Sequence, residues 1–202
     1  MSPDKPPAAR RAEVSRGTKE TQVAVRLDLD GTGKAALESP VGFLNHMLDL
    51  FARHALVDLE VRATGDTEVD LHHTVEDIGI GLGQALDRAL GDKAGIQRFA
   101  SVAVPMDEAL AEVALDISGR AVLAYRVQFP GERVGEFETE LVEEFLGGFV
   151  NHARVTLHVR VPYGTNDHHV AEAIFKAVAL AVRQAVARHP RVTGAPSTKG
   201  VI

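Results

Sequence analysis

Residues 51–62, FARHALVDLEVR, and residues 149–160, FVNHARVTLHVR, are two copies of one segment. Phe51, His54, Ala55, Val57, Leu59, Val61 and Arg62 recur 98 positions later as Phe149, His152, Ala153, Val155, Leu157, Val159 and Arg160. Each copy is followed by a histidine pair, LHHTVED at 71–77 and DHHVAEA at 167–173, displaced by 96 because one copy has lost two loop residues. The chain is therefore two related halves, 13–97 and 98–190, and each pattern read in one half must be compatible with the other.

Hydrophobic spacing fills in the halves. Helical periodicity over 41–54, alternation over 56–62, a loop at Gly65 and a helix over 72–90 closed by Gly91 make up the first. The second repeats this with a helix at 138–152, a strand at 154–161, a loop at 162–166 and a helix at 168–188 ended by Pro190. Strands at 21–29 and 33–38 precede the first set; strands at 99–104, 108–116 and 121–129 precede the second. An α+β architecture follows, an α/β sandwich with helices packed on one face of each sheet. Residues 1–12, with three prolines and no apolar period, read as a disordered leader, and 191–202 as a C-terminal tail.

One short match points elsewhere. VAVRLDLDGTGK at 23–34 has the D-x-D-G-T form that opens the nucleophile strand of haloacid-dehalogenase-type phosphatases, and GDTEVD at 65–70 fits their magnesium motif. That strand should be apolar on both faces. Here Val23, Val25, Leu27 and Leu29 alternate with Ala24, Arg26, Asp28 and Asp30, so one face is wet, and the expected element is a β-hairpin turning at Asp30-Gly31-Thr32-Gly33. A phosphohydrolase using Asp28 and Asp30 remains the rival enzyme. A third reading makes the histidines structural metal ligands without turnover.

The chain has no cysteine, so any metal rests on histidine and carboxylate. A formal charge of −6 argues against a nucleic-acid partner, and no apolar run or signal segment points to a membrane; the expected location is cytoplasmic. Nine histidines stand out. HHTVE and HHVAE share the form H-H-x-x-E at the head of a helix. The first His and the Glu fall on one face, while the second His is rotated by about 100°. Two copies supply His72, His73, Glu76, His168, His169 and Glu172, and the repeat pairs His46 with Glu144 as a seventh and eighth ligand. Imidazole with carboxylate suits manganese, iron, nickel or zinc.

TKETQ, LDGTG, GFLNHMLDLFARH, HHTVEDIGI, GIQRF, PMDEAL, SGR, DHHVAEAIFKA and PSTKG together resemble the imidazoleglycerol-phosphate dehydratase family over about residues 10–202. The resemblance implies conversion of D-erythro-imidazoleglycerol phosphate to imidazole acetol phosphate in histidine biosynthesis. It implies a hydro-lyase working through a metal-stabilised imidazolate and a diazafulvene-like intermediate. It also implies two Mn2+ per active site, duplicated split β-α-β halves, and a homo-oligomer of 24 subunits with sites between neighbouring chains. Glu20 and Glu172 are then the proton carriers, His46, His54 and His72 contact substrate, and Arg98, Arg120, Ser197, Thr198 and Lys199 take the phosphate, the tail ordering when substrate binds. At position 144 many relatives have His where this chain has Glu.

Overall fold

The computed structural model describes residues 9–200 and 202. Positions 1–8 of the expected leader lie outside the described residues. Its last two, Arg11 and Ala12, instead open strand β1 (Arg11–Gly17), an edge strand that the sequence reading missed. Only Val14 of β1 is buried, so its charged residues mask the alternation.

The first half continues with β2 (Thr21–Asp28), β3 (Ala35–Glu38), α1 (Gly42–Ala55), β4 (Asp58–Gly65) and α2 (His72–Leu90). The second has β5 (Phe99–Met106), β6 (Ala109–Asp116) and β7 (Val122–Arg126). A small hairpin, β8 (Arg133–Val134) and β9 (Phe137–Glu138), follows, and then α3 (Leu141–Ala153), β10 (Thr156–Tyr163) and α4 (Asp167–Val186). The sheets have the orders β1-β2-β4-β3 and β5-β6-β10-β7, each antiparallel except for its last pair. Helices α1 and α2 pack on the first sheet, α3 and α4 on the second, and the helices meet in the middle as α2 on α3 and α1 on α4. The α+β sandwich expected from the repeat is the fold observed. Phe51 and its repeat partner Phe149 meet edge to face at 6.5 Å, as equivalent residues beside a pseudo-twofold axis must.

One expectation fails. β2 and β3 do not form a hairpin; they flank β4 on opposite sides. Asp58, the first residue of β4, accepts hydrogen bonds from the backbone N–H groups of Thr32 and Lys34, which draws the turn across the end of β4 and delivers β3 to its far edge. Gly31 makes the crossing possible, since a Cβ there would lie 2.2 Å from the Asp58 nitrogen. The hydrogen bonds from Lys34 and Thr32 hold the Asp58 carboxyl below its ordinary pKa.

The two helix crossings differ. Cβ atoms added at Gly79 and Gly83 of α2 would lie 2.4 Å from the carbonyl oxygens of Phe145 and Phe149, and one at Gly148 of α3 would lie 2.7 Å from that of Glu76. Backbone therefore touches backbone where α2 crosses α3. The corresponding positions in α4 and α1 are Phe175, Ala179 and Leu50, none of them glycine.

Candidate active site

Both histidine pairs begin a helix, and both are held there alike. Asp70 accepts from the His72 N–H at 2.9 Å, and Asn166, its repeat equivalent, accepts from the N–H groups of His168 and His169. These short polar side chains satisfy otherwise orphaned helix donors and fix the direction in which each pair leaves the first turn.

The two residues of each pair then diverge, as the helical rotation requires. His168 turns toward α1, where its Nε2 lies 3.2 Å from Oε2 of Glu172, and Nε2 of His46 approaches the same oxygen at 3.5 Å. His46, His168 and Glu172 can present ligand atoms all within 4.8 Å of one another. Phe43 stacks edge-on against His168 at 5.3 Å and is itself backed by Phe137 of the small hairpin. On the other crossing His72 faces Glu144 at 3.8 Å, with Glu76 half-buried one turn along. Position 144 thus occupies the place of His46 in the repeat.

The second histidines have other partners. Nδ1 of His73 lies 3.1 Å from Asp66 and 3.8 Å from Glu20; Nδ1 of His169 lies 2.6 Å from Glu108. A carboxylate on Nδ1 fixes the tautomer and leaves Nε2 as the lone pair offered to a metal. Hydrogen bonding to Asp66, then the charge of Glu20, raises the His73 pKa; the bond to Glu108 raises that of His169. Glu108 is drawn down to about 2 by His169 and by the N–H of Thr165. The sequence reading missed Asp66 and Glu108. Glu108, just before β6, holds the place in the second half that Glu20 holds before β2 in the first, whereas Asp66 has no carboxylate counterpart among residues 162–164 of the other half.

Glu172 is nearly buried, which alone would raise its pKa. Hydrogen bonds and charge from Lys176, at 2.6 Å, with help from His168 and His46, more than offset that and leave it lowered. Lys176 is a further missed residue, four positions beyond Glu172 on the same helix face. His54, two turns from His46, has its pKa lowered by burial and then by the charge of Lys176.

Arg98, Arg120, Ser197, Thr198 and Lys199 line one cleft of about 670 Å³ with Ser118 and Phe99. Arg98 forms a forked pair with Asp116, Nε at 2.7 Å and Nη2 at 3.2 Å, while Nη1 donates to the Pro196 carbonyl at 2.8 Å and clasps the tail. By contrast, Asp28 and Asp30 form ion pairs with Arg11 and Arg10 at the edge of the first sheet. No described contact joins them to a histidine.

The imidazoleglycerol-phosphate dehydratase family model matches residues 39–182. The chain belongs to this family. It is 57% identical to the imidazoleglycerol-phosphate dehydratase of Xanthobacter autotrophicus over 194 residues, 96% of this chain and 98% of that one. The Methylococcus capsulatus enzyme is 58% identical over the same shares. The crystal structure of the Staphylococcus aureus dehydratase superposes with a TM-score of 0.81 at 40% identity, covering 89% of this chain and 99% of that one. The Pyrococcus furiosus structure, solved in complex with (S)-C348, gives 0.81 at 36% identity, covering 94% and 100%. Family membership makes LDGTG the crossover turn of a dehydratase and not a phosphatase signature. Among the described residues, no helix is long and apolar enough to cross a membrane.

Proposed function

We propose that this chain removes water from D-erythro-imidazoleglycerol phosphate to give imidazole acetol phosphate, a step of histidine biosynthesis. The observation that carries the reading is the convergence of His46, His168 and Glu172, repeated around the pseudo-axis by His72 with Glu144 and Glu76. An imidazole-carboxylate donor set without thiolate fits a divalent first-row ion. The residues to hold two such ions, manganese by family resemblance, are His46, His72, His73, Glu76, Glu144, His168, His169 and Glu172. When bound, the ions supply Lewis acidity toward the imidazole of the substrate.

The rest of the chemistry falls to the chain. The hydrogen to be removed sits on a carbon with no carbonyl beside it, so a positioned base is required. Glu20 takes that role: its carboxylate is exposed at the tip of the β1–β2 hairpin and faces His73. Glu172 handles the ring proton, and Lys176 keeps it ionised and ready to accept. His54 completes the wall around the substrate. The phosphate, close to doubly charged near neutral pH, is met by Arg98, Arg120 and Lys199 with the hydroxyls of Ser197 and Thr198. Arg98 spends three N–H groups on Asp116 and Pro196 and keeps two, so it serves both as clasp and as donor. Twenty-four copies assemble, with ligands from neighbouring chains completing each site.

The test is incubation of the manganese-loaded protein with imidazoleglycerol phosphate. Formation of the ketone is expected. Its absence, or release of inorganic phosphate in its place, would overturn the reading.

A further inference from the structure

We infer that Asp77 and Thr21 form a buried tie that positions Glu20 for proton transfer, an inference resting on the dehydratase reading above. Asp77 lies one residue beyond Glu76 on α2 and is only 5% exposed. It pairs with Nε of Arg16 at 2.8 Å through one oxygen and accepts the hydroxyl hydrogen bond of Thr21 through the other. Arg16 and Thr21 stand on opposite strands of the β1–β2 hairpin, flanking the tip that holds Lys19 and Glu20. Both strands are thus fastened to the helix that carries His72 and His73.

Within the tip, Thr18 accepts from the N–H groups of Glu20 and Thr21 at 3.1 and 3.0 Å, and the Thr18 N–H donates to the Thr21 carbonyl at 2.9 Å. Thr21 is therefore the link between the tip and the buried carboxylate. The only side-chain partner of Glu20 among the described contacts is His73, at 3.8 Å.

The repeat separates this tie from ordinary core structure. Its counterpart on α4, 96 positions on, is Ala173. The second half folds into the same sheet and helix without it. There the tip of the corresponding β5–β6 hairpin carries Glu108, which fixes itself by bonding His169 at 2.6 Å and the N–H groups of Thr165 and Asn166. One tip is anchored by its own acid. The other is anchored from beneath, which leaves its acid unspent.

The experiment compares manganese-loaded wild type with Thr21→Val, Asp77→Asn and Thr21→Ser. Steady-state dehydration, bound manganese and amide hydrogen exchange over residues 18–22 are measured on each. Because misplacement of a catalytic group by about 1 Å can cost 100-fold, Thr21→Val and Asp77→Asn should lower kcat about 10- to 100-fold with KM and manganese content little changed. Exchange over 18–22 should accelerate, and Thr21→Ser, which keeps the hydroxyl, should recover most of kcat. Added to Glu20→Gln, Thr21→Val should cost nothing further. Wild-type kcat in folded Thr21→Val overturns the inference, as does an equal loss on the Glu20→Gln background. If Asp77→Asn does not fold, the two Thr21 variants decide. A wild-type protein that forms no ketone defeats the dehydratase reading instead, and unchanged exchange in Thr21→Val then refutes the tie independently of turnover.

Discussion

Replacing Gly83 by alanine sets two effects of known sign against each other. Alanine is the better helix former by about 1 kcal/mol, so propensity alone predicts stabilisation. The new methyl, however, would sit 2.4 Å from the Phe149 carbonyl oxygen and 2.9 Å from the Ala153 nitrogen, roughly 1 Å inside ordinary contact. Both neighbours are backbone atoms of α3 and cannot rotate aside, so the helices must part. Overpacking of this kind costs about 1–3 kcal/mol, and backbone opposition places it at the upper end. After the propensity gain, a net loss of ~2 kcal/mol remains, which for a chain of this size lowers the melting temperature by about 4–8 °C. Gly147, on α3 with nothing within 4 Å of its missing Cβ, is the control: Gly147→Ala should be neutral or slightly stabilising. Calorimetric melting of the metal-free proteins decides. If Gly83→Ala melts at or above Gly147→Ala, the close crossing is not what this packing implies.

Other expectations concern the site. His73→Ala or His169→Ala should lower bound manganese and abolish dehydration while far-UV circular dichroism stays native; full metal and full activity in either variant would refute the ligand assignment. Deleting residues 197–202 should raise KM for imidazoleglycerol phosphate strongly and leave metal content unchanged, since the proposed ligands lie upstream; a wild-type KM would remove the tail from the phosphate site. Proton and metal compete for the same imidazoles, and the pKa values of His73 and His169 are raised, so manganese uptake should fail on acidification at a higher pH than for ordinary histidine. Glu108→Gln should move that failure to lower pH, as read by manganese electron paramagnetic resonance. For folding of the metal-free chain the sign is separate. The raised pKa of His169 stabilises below about pH 6.5 and is lost as pH rises through its folded value, while Glu108 stabilises above about pH 4.5 and is lost on descent toward 2. Their pairing therefore contributes most to stability between those limits, and urea midpoints across that range should fall in Glu108→Gln.

The repeat made the architecture legible because packing obeys it: Phe51, Val57, Leu59 and Val61 are buried, and so are Phe149, Val155, Leu157 and Val159. The first-histidine clusters were legible for the same reason, since four-residue spacing on a helix fixes who faces whom. What failed was nonlocal. The path of Gly31 to Lys34 depends on Asp58, a residue from another strand, and no local turn pattern reports that. β1 escaped notice because an edge strand with one buried residue carries almost no alternation. Asp66, Glu108 and Lys176 serve histidines and a carboxylate whose own positions had first to be known in space.

The unequal helix crossings bear on how such a chain could have arisen. A half-length ancestor joining two identical copies would have had one kind of seam, used twice. The present molecule has two kinds, and neither half can any longer stand in for the other. A pair of first halves would bring Leu50 to the place where Gly148 now lets α3 rest on the Glu76 carbonyl, and a pair of second halves would set Phe175 where Gly79 now meets Phe145. The two seams have diverged, one closing backbone to backbone through glycine and the other carrying larger side chains at the same positions, so exchanging one half for the other would force the close crossing apart.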